Sequence, residues 1–115
     1  MSKGTLENAI TKALIQWEKD YMGRGPTEAK TDIIRDMIVV SLKGVLSTAE
    51  EHLAKDNDGM ALVKKLRQLL VEQGRPNLED ILFRLTSAKV VSLHTDICTK
   101  TGDRIFIFRM NRIFY

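Results

Sequence analysis

Three side chains of reactive type recur at alternate positions near the C-terminus: His94, Asp96 and Cys98, within Val91–Ser92–Leu93–His94–Thr95–Asp96–Ile97–Cys98. On an extended strand, alternate residues share a face. An imidazole, a carboxylate and a thiol on one face are the groups of a nucleophile with its base and orienter. They are also three unlike metal ligands. Spacing argues against both. Successive members stand about 6.5–7 Å apart along a strand, which puts His94 and Cys98 about 13 Å apart, whereas a nucleophile and its base need hydrogen-bond contact. The other histidine, His52, brings no local ligand motif. What remains is a polar strip on the outward face of a sheet. His94 and Asp96 are its candidate recognition residues, and no catalytic residue, metal site or cofactor is assigned.

Two further stretches could meet a charged ligand or partner. Thr99–Lys100–Thr101–Gly102 combines hydroxyls, a cation and a glycine, a set whose exposed amides could hold an anion. A solvated turn is the plainer reading. Gly23–Arg24–Gly25–Pro26 follows a helical pattern, whereas a phosphate loop needs a strand before it and a helix after it. It therefore reads as a helix stop and chain reversal that presents Arg24. Gly23, Gly25, Pro26 and Gly102 are structural positions on this reading, and Arg24, Thr99, Lys100 and Thr101 are binding candidates.

The elements that position these residues follow from periodicity. Leu6, Ile10, Ala13, Leu14, Trp17 and Tyr21 predict an amphipathic helix over 5–22. Thr5 is the expected N-cap and Glu7 complements the positive end of the helix dipole. Two strands, about 30–35 and 37–43, follow, with a tight turn at Arg35–Asp36 and Ile38, Val40 and Leu42 on the apolar face. Ser47–Thr48–Ala49–Glu50 is a capping box that starts a short helix over about 48–55. A longer helix over about 59–74 places Met60, Val63, Leu66, Leu69 and Leu70 on one face. Gly74–Arg75–Pro76 is expected to kink or interrupt it, since Pro76 has no amide and crowds the turn before it. Leu78, Ile81, Leu82 and Leu85 resume the helical stripe to about residue 86. The C-terminal hairpin pairs Val90–Thr99 with a short run at Ile105–Phe108 across Lys100–Thr101–Gly102–Asp103. Period 2 sets Val91, Leu93, Thr95 and Ile97 on one face and Ser92, His94, Asp96 and Cys98 on the other. The order α-ββ-α-α-ββ predicts an α+β two-layer sandwich, a four-stranded antiparallel sheet with helices on one face.

Composition bounds the rest. The chain has 115 residues, enough for one domain, 1–115, with a core of its own. Its single cysteine allows no internal disulfide and suits a reducing compartment. No apolar run approaches the roughly 20 residues of a membrane span, and the N-terminus lacks the apolar stretch of a signal peptide. A cytoplasmic protein is expected, at the inner membrane only through a partner. The net charge of +3 is uneven: residues 61–115 carry ten Lys/Arg against five acids. A basic half can attract nucleic acid, yet it lacks interleaved aromatics. Two sheet edges make a homodimer an expected way to cover them.

Four segments taken together resemble one family. They are Tyr21–Met22–Gly23–Arg24–Gly25–Pro26, the run Ile38 to Glu50, Arg75–Pro76, and Val90 to Asp103. In combination they are similar to the MpsC-like family, small bacterial proteins of the YbcI type long grouped as a domain of unknown function, and the likeness spans about residues 4–110. The matching motif positions are Gly23, Arg24, Gly25, Pro26, His94, Asp96, Thr99, Lys100, Thr101 and Gly102. The resemblance implies a setting: a soluble, non-enzymatic accessory protein of a Na+-translocating, membrane potential-generating system, whose membrane subunits look like relatives of antiporter chains and whose kin are linked to inorganic carbon uptake. It implies a protein partner, possible membrane ion-transport subunits among them, and no catalytic residues. A small nucleic-acid-binding module is the alternative. The family pattern implies serine where this chain has Cys98, so thiol chemistry is not implied.

Overall fold

The computed structural model describes residues 2–115. Its elements are α1 (Lys3–Met22), β1 (Glu28–Ile34), β2 (Met37–Lys43), α2 (Thr48–Leu53), α3 (Asn57–Thr86), β3 (Val90–Cys98) and β4 (Asp103–Met110). The four strands form one antiparallel sheet in the order β1-β2-β4-β3. The two hairpins therefore lie side by side, joined through β2 and β4, and α1 and α3 cover one face. The expected α+β class and element order hold.

Local chemistry explains most boundaries. Ser2, rather than Thr5, caps α1: its hydroxyl accepts from the Thr5 amide at 3.2 Å. Glu7 does not serve the helix end either. Its carboxylate reaches across to accept from the Ile33 amide of β1 at 2.8 Å. Gly23 closes α1 in the left-handed conformation (φ 85°), as a glycine stop should. The capping box forms as expected, with both reciprocal Ser47–Glu50 bonds present.

Helix α3 departs from expectation. It runs unbroken for 30 residues with Pro76 inside it. Both Pro76 and Glu72, whose carbonyl loses its amide partner, are solvent-exposed, so the lost bond is open to water. Gly74 is no breaker but a contact residue. A Cβ there would come within 2.9 Å of Trp17 and 3.0 Å of Tyr21, so its missing side chain lets α1 and α3 close together. The buried face of α3 is Val63, Arg67, Val71, Gly74, Leu78 and Leu82. Leu66 and Leu69, expected in the core beside Val63, are instead about half exposed at 50% and 52%.

The sheet contributes Ile33, Ile38, Val40, Leu42, Ile97, Phe106 and Phe108 to the core. Trp17 meets Phe106 edge-on at 6.2 Å, and Phe106 stacks on Phe108 at 5.8 Å. On β3 a bulge shifts the register between Val90 and Ser92, so that Val90 pairs with Met110 and Ser92 with Arg109. The bulge turns Val91 out of the expected inner row to 60% exposure. Leu93, Thr95 and Ile97 keep their inward places. In the tail, Phe114 packs against the core and its amide bonds to the Arg35 carbonyl.

Candidate functional site

The polar strip on β3 is present, but its members act separately. His94 Nε2 lies 3.2 Å from Ser92 Oγ. Asp96 accepts from the Ile97 amide at 2.8 Å and stands 3.4 Å from Lys64 Nζ on α3. The Ile97 amide first, then Lys64, hold its carboxyl below the ordinary range. Cys98 turns toward the hairpin tip. There the Thr101 side chain, then the amides of Thr101 and Lys100, hold its thiol below the ordinary range. None of the three touches another.

The topology does join the two motif regions. The antiparallel registers set the start of β1, the end of β2, the start of β4 and the end of β3 in one row. The Gly23–Thr27 loop with exposed Arg24 and the Thr99–Gly102 turn thus share one end of the sheet. Thr27 bonds the Lys43 carbonyl at 2.8 Å, and Val45, two residues on, bonds the Gly102 carbonyl at 3.0 Å. Gly102 has the positive φ (75°) that its turn needs. A shallow cleft of about 300 Å³ lies between Thr99–Gly102 and α2.

A second constellation is absent from the reading of the sequence. Glu18 of α1, Arg67 of α3 and Arg104 of β4 are 1%, 4% and 2% exposed. Arg67 is largely matched: its Nη2 donates to Glu50 Oε1 at 2.6 Å and to the Val45 carbonyl at 2.9 Å, and its Nε to Glu50 Oε2 at 2.8 Å, leaving only Nη1 without a partner. Burial pushes the Glu50 carboxyl up, but the bonds from Arg67 and Ser47 outweigh it, leaving it below the ordinary range. Arg104 is not matched. Its Nε and Nη1 find no acceptor among the described residues, and its one packing partner of note is the Phe106 ring at 5.4 Å. Burial drives its guanidinium down and the Glu18 carboxyl up, and in each case the opposite charges nearby offset part of the shift. Both Glu18 oxygens, Trp17 Nε1 and Thr95 Oγ1 are buried without a protein partner.

Periodicity held the signal for this cluster. Glu18 continues the ladder Leu6, Ile10, Leu14 at intervals of four. Arg67 sits midway between Val63 and Val71. Arg104 leads the alternating row Phe106, Phe108, Met110. Each charge occupies a core position of its own element.

A cleft of about 320 Å³ opens between α3 and β3, and Arg104 lines it with Lys64, Gln68, Thr95 and Asp96. Among the described residues no three His, Cys, Asp or Glu side chains are placed to hold a metal ion, and no helix is long and apolar enough to cross a membrane.

The fold and its end-of-sheet motifs define a two-layer α+β protein with one uncovered sheet face. The chain belongs to the MpsC family, described as "Na+-translocating membrane potential-generating system (MpsC)", whose family model matches residues 2–112. It is 48% identical over 109 residues to uncharacterized protein YbcI of Bacillus subtilis (strain 168), covering 95% of this chain and 88% of that one. It is 27% identical over 99 residues to uncharacterized protein YrhF of the same organism, covering 82% and 78% respectively. No solved structure matches it.

Proposed function

We propose that this protein is a non-enzymatic accessory component of a membrane ion-translocating system, docking on that system's integral subunits. The family match over residues 2–112 carries the reading. Two structural features support it. The helices cover one face of the sheet, and the other face presents Ile34 on β1 at 47% exposure and Ile105 on β4, opposite Asp96, at 42%. The end of the sheet gathers Arg24 and Lys100 onto loops, where recognition residues are free to vary. The sheet gives nucleic acid no stacking platform: Phe106 and Phe108 are buried beneath the helices, and its outer face carries no Phe, Tyr or Trp.

Pull-down of the tagged chain from membranes of its native host tests the reading. Integral subunits of an ion-translocating complex should be recovered, and a charge-reversed Arg24→Glu/Lys100→Glu variant should recover several-fold less. Recovery of only non-membrane proteins, from membranes known to contain the complex, overturns it.

A further inference from the structure

We propose that the cleft between α3 and β3 binds a small oxyanion, a phosphate or a carboxylate, with Arg104 and Thr95 as its buried donors. This goes beyond the docking reading and does not depend on it.

The argument begins with Arg104. A guanidinium at 2% exposure has lost its hydration, and a buried charge is retained only where acceptors replace the water. The fold supplies none to Nε or Nη1. Arg67 differs in degree: two hydrogen bonds to Glu50 and one to the Val45 carbonyl leave only its Nη1 without a partner, and they include a full carboxylate counter-charge that Arg104 lacks. Glu18 is the nearest candidate counter-ion by charge, yet its oxygens bond to no donor of the chain.

The space beside Arg104 is built for an acceptor. The Thr95 hydroxyl is also buried and unpartnered, and it lines the same cleft. In the β3–β4 register Thr95 faces Phe106 and Ile97 faces Arg104, so Thr95 and Arg104 are diagonal neighbours on the inner face. Diagonal side chains stand about 7 Å apart. One ion that accepts a hydrogen bond of about 2.8 Å from each bridges that distance. Gln68 and Lys64 of α3 form the opposite wall, adding an amide and a cation. Lys64 is held toward the mouth by Asp96 at 3.4 Å.

Sign and size limit the ligand. A cation would meet a guanidinium at the base of the cleft. Asp96 and Glu72 are exposed at the mouth, and Asp96 is already paired. They disfavour a long polyanion running out past them, so a compact oxyanion seated against Arg104 is the best fit. At about 320 Å³ the cleft is near the lower end of small-molecule sites.

The test is thermal unfolding of the whole chain at matched ionic strength, with millimolar sodium phosphate or sodium acetate against sodium chloride, together with 31P linewidths of the added phosphate. The expected result is a saturable rise in Tm with at least one oxyanion. It should reach about 5 °C when the ion is tenfold above its dissociation constant. Response to phosphate, acetate or both then assigns the ligand chemistry. Arg104→Met should abolish the rise. Thr95→Val, which keeps the guanidinium, should weaken binding several-fold, and it keeps the proposal testable should Arg104→Met fold poorly. General salt exclusion also raises Tm, but both variants would share that rise. A rise unchanged in Arg104→Met or Thr95→Val overturns the proposal. So does a wild-type protein that responds to phosphate and acetate no more than to chloride, without 31P broadening.

Discussion

The two edge strands of the sheet have the same pairing chemistry and opposite cover. At β1, helix α1 lies close, and its polar side chains finish the strand's bonds. Glu7 takes the Ile33 amide at 2.8 Å, and the Thr11 hydroxyl donates to Thr31 Oγ1 at 2.7 Å. Thr31 and Ile33 are buried as a result, at 4% and 1% exposure. At β3, α3 stands off far enough to leave a cleft, Leu93 and Thr95 are only half-buried, and the polar groups behind them go unmatched. An edge strand is a row of unpaired groups that a protein must blunt. This one blunts β1 from within and leaves the β3 side for something else to complete. Satisfied polar networks rigidify a fold, while unmatched ones mark where a ligand or solvent has work to do.

The sharpest way to break the comparison is to make the matched buried arginine resemble the unmatched one. Glu50→Ala strips Arg67 of its carboxylate while leaving the guanidinium 4% exposed. Loss of one partner from a buried pair costs about 3–5 kcal/mol, and chemical denaturation should show a loss of that order. The same removal on the open side should cost less. Arg104→Met gives up no hydrogen bond at Nε or Nη1, though it takes one of two guanidinium charges from buried Glu18, so a loss about 1–2 kcal/mol smaller than that of Glu50→Ala is expected in chloride buffer. A loss equal to that of Glu50→Ala would mean that Arg104 is satisfied within the fold, and the contrast between the edges would fail.

The sequence disclosed what local rules govern. The Ser47–Glu50 box, the Gly23 stop, the Arg35–Asp36 turn and the Gly102 turn each follow from a few neighbouring residues. The helical stripe of α1 and the alternation of β2 also survived folding. What failed depends on contacts distant in the chain. Pro76 was expected to interrupt α3, but its missing amide faces solvent and the helix continues. Gly74 looked like punctuation until α1 was packed against it. Leu66 and Leu69 share an apolar face with Val63 by helical spacing, yet the phase of α3 gives the core position to Arg67, which Glu50 receives. Val91 was turned out by a bulge that alternation cannot foresee. For the candidate site, loop and strand pattern foretold the exposure of Arg24 and Lys100 and the outward face of His94 and Asp96. Glu18, Arg67 and Arg104 were overlooked because a charge on an apolar ladder reads as a surface residue until its neighbours are known.

Glu18 sharpens the difference through pH. Burial raises its carboxyl above the ordinary value of 4.5, with Arg67 and Arg104 offsetting part of the rise. The folded chain therefore holds this proton at pH values where the unfolded chain has released it. Folding stability from this group falls as pH climbs from about 4.5 through the raised folded value. Glu50 has the opposite sign: its lowered carboxyl contributes stability above 4.5 that is lost on acidification. Glu18→Gln keeps the volume and removes the titration. Its stability at neutral pH should equal or exceed that of the parent, and its stability-versus-pH curve should lose the decline above 4.5. A Glu18→Gln curve that superimposes on the parent's over pH 4.5–8 would show that Glu18 does not titrate differently on folding.

The smallest effect lies at the closed edge, and it asks how much cover an internal side chain provides. Glu7→Ala removes the acceptor of the Ile33 amide but leaves that amide on an outer strand. Water can reach an edge amide more readily than a core one, so the cost should fall near the lower end for a charged acceptor, about 1 kcal/mol. Global unfolding reads such a change poorly. Native-state hydrogen exchange reads it well, because it follows the opening of one strand. The Ile33 amide should exchange roughly fivefold faster in Glu7→Ala, with the β3 amides unchanged. Equal acceleration at β1 and β3 would mean that Glu7 supports the whole sheet rather than its edge. In that case the two edges would differ in packing alone, and the polar bonds at β1 would follow from the cover of α1 rather than help to hold it.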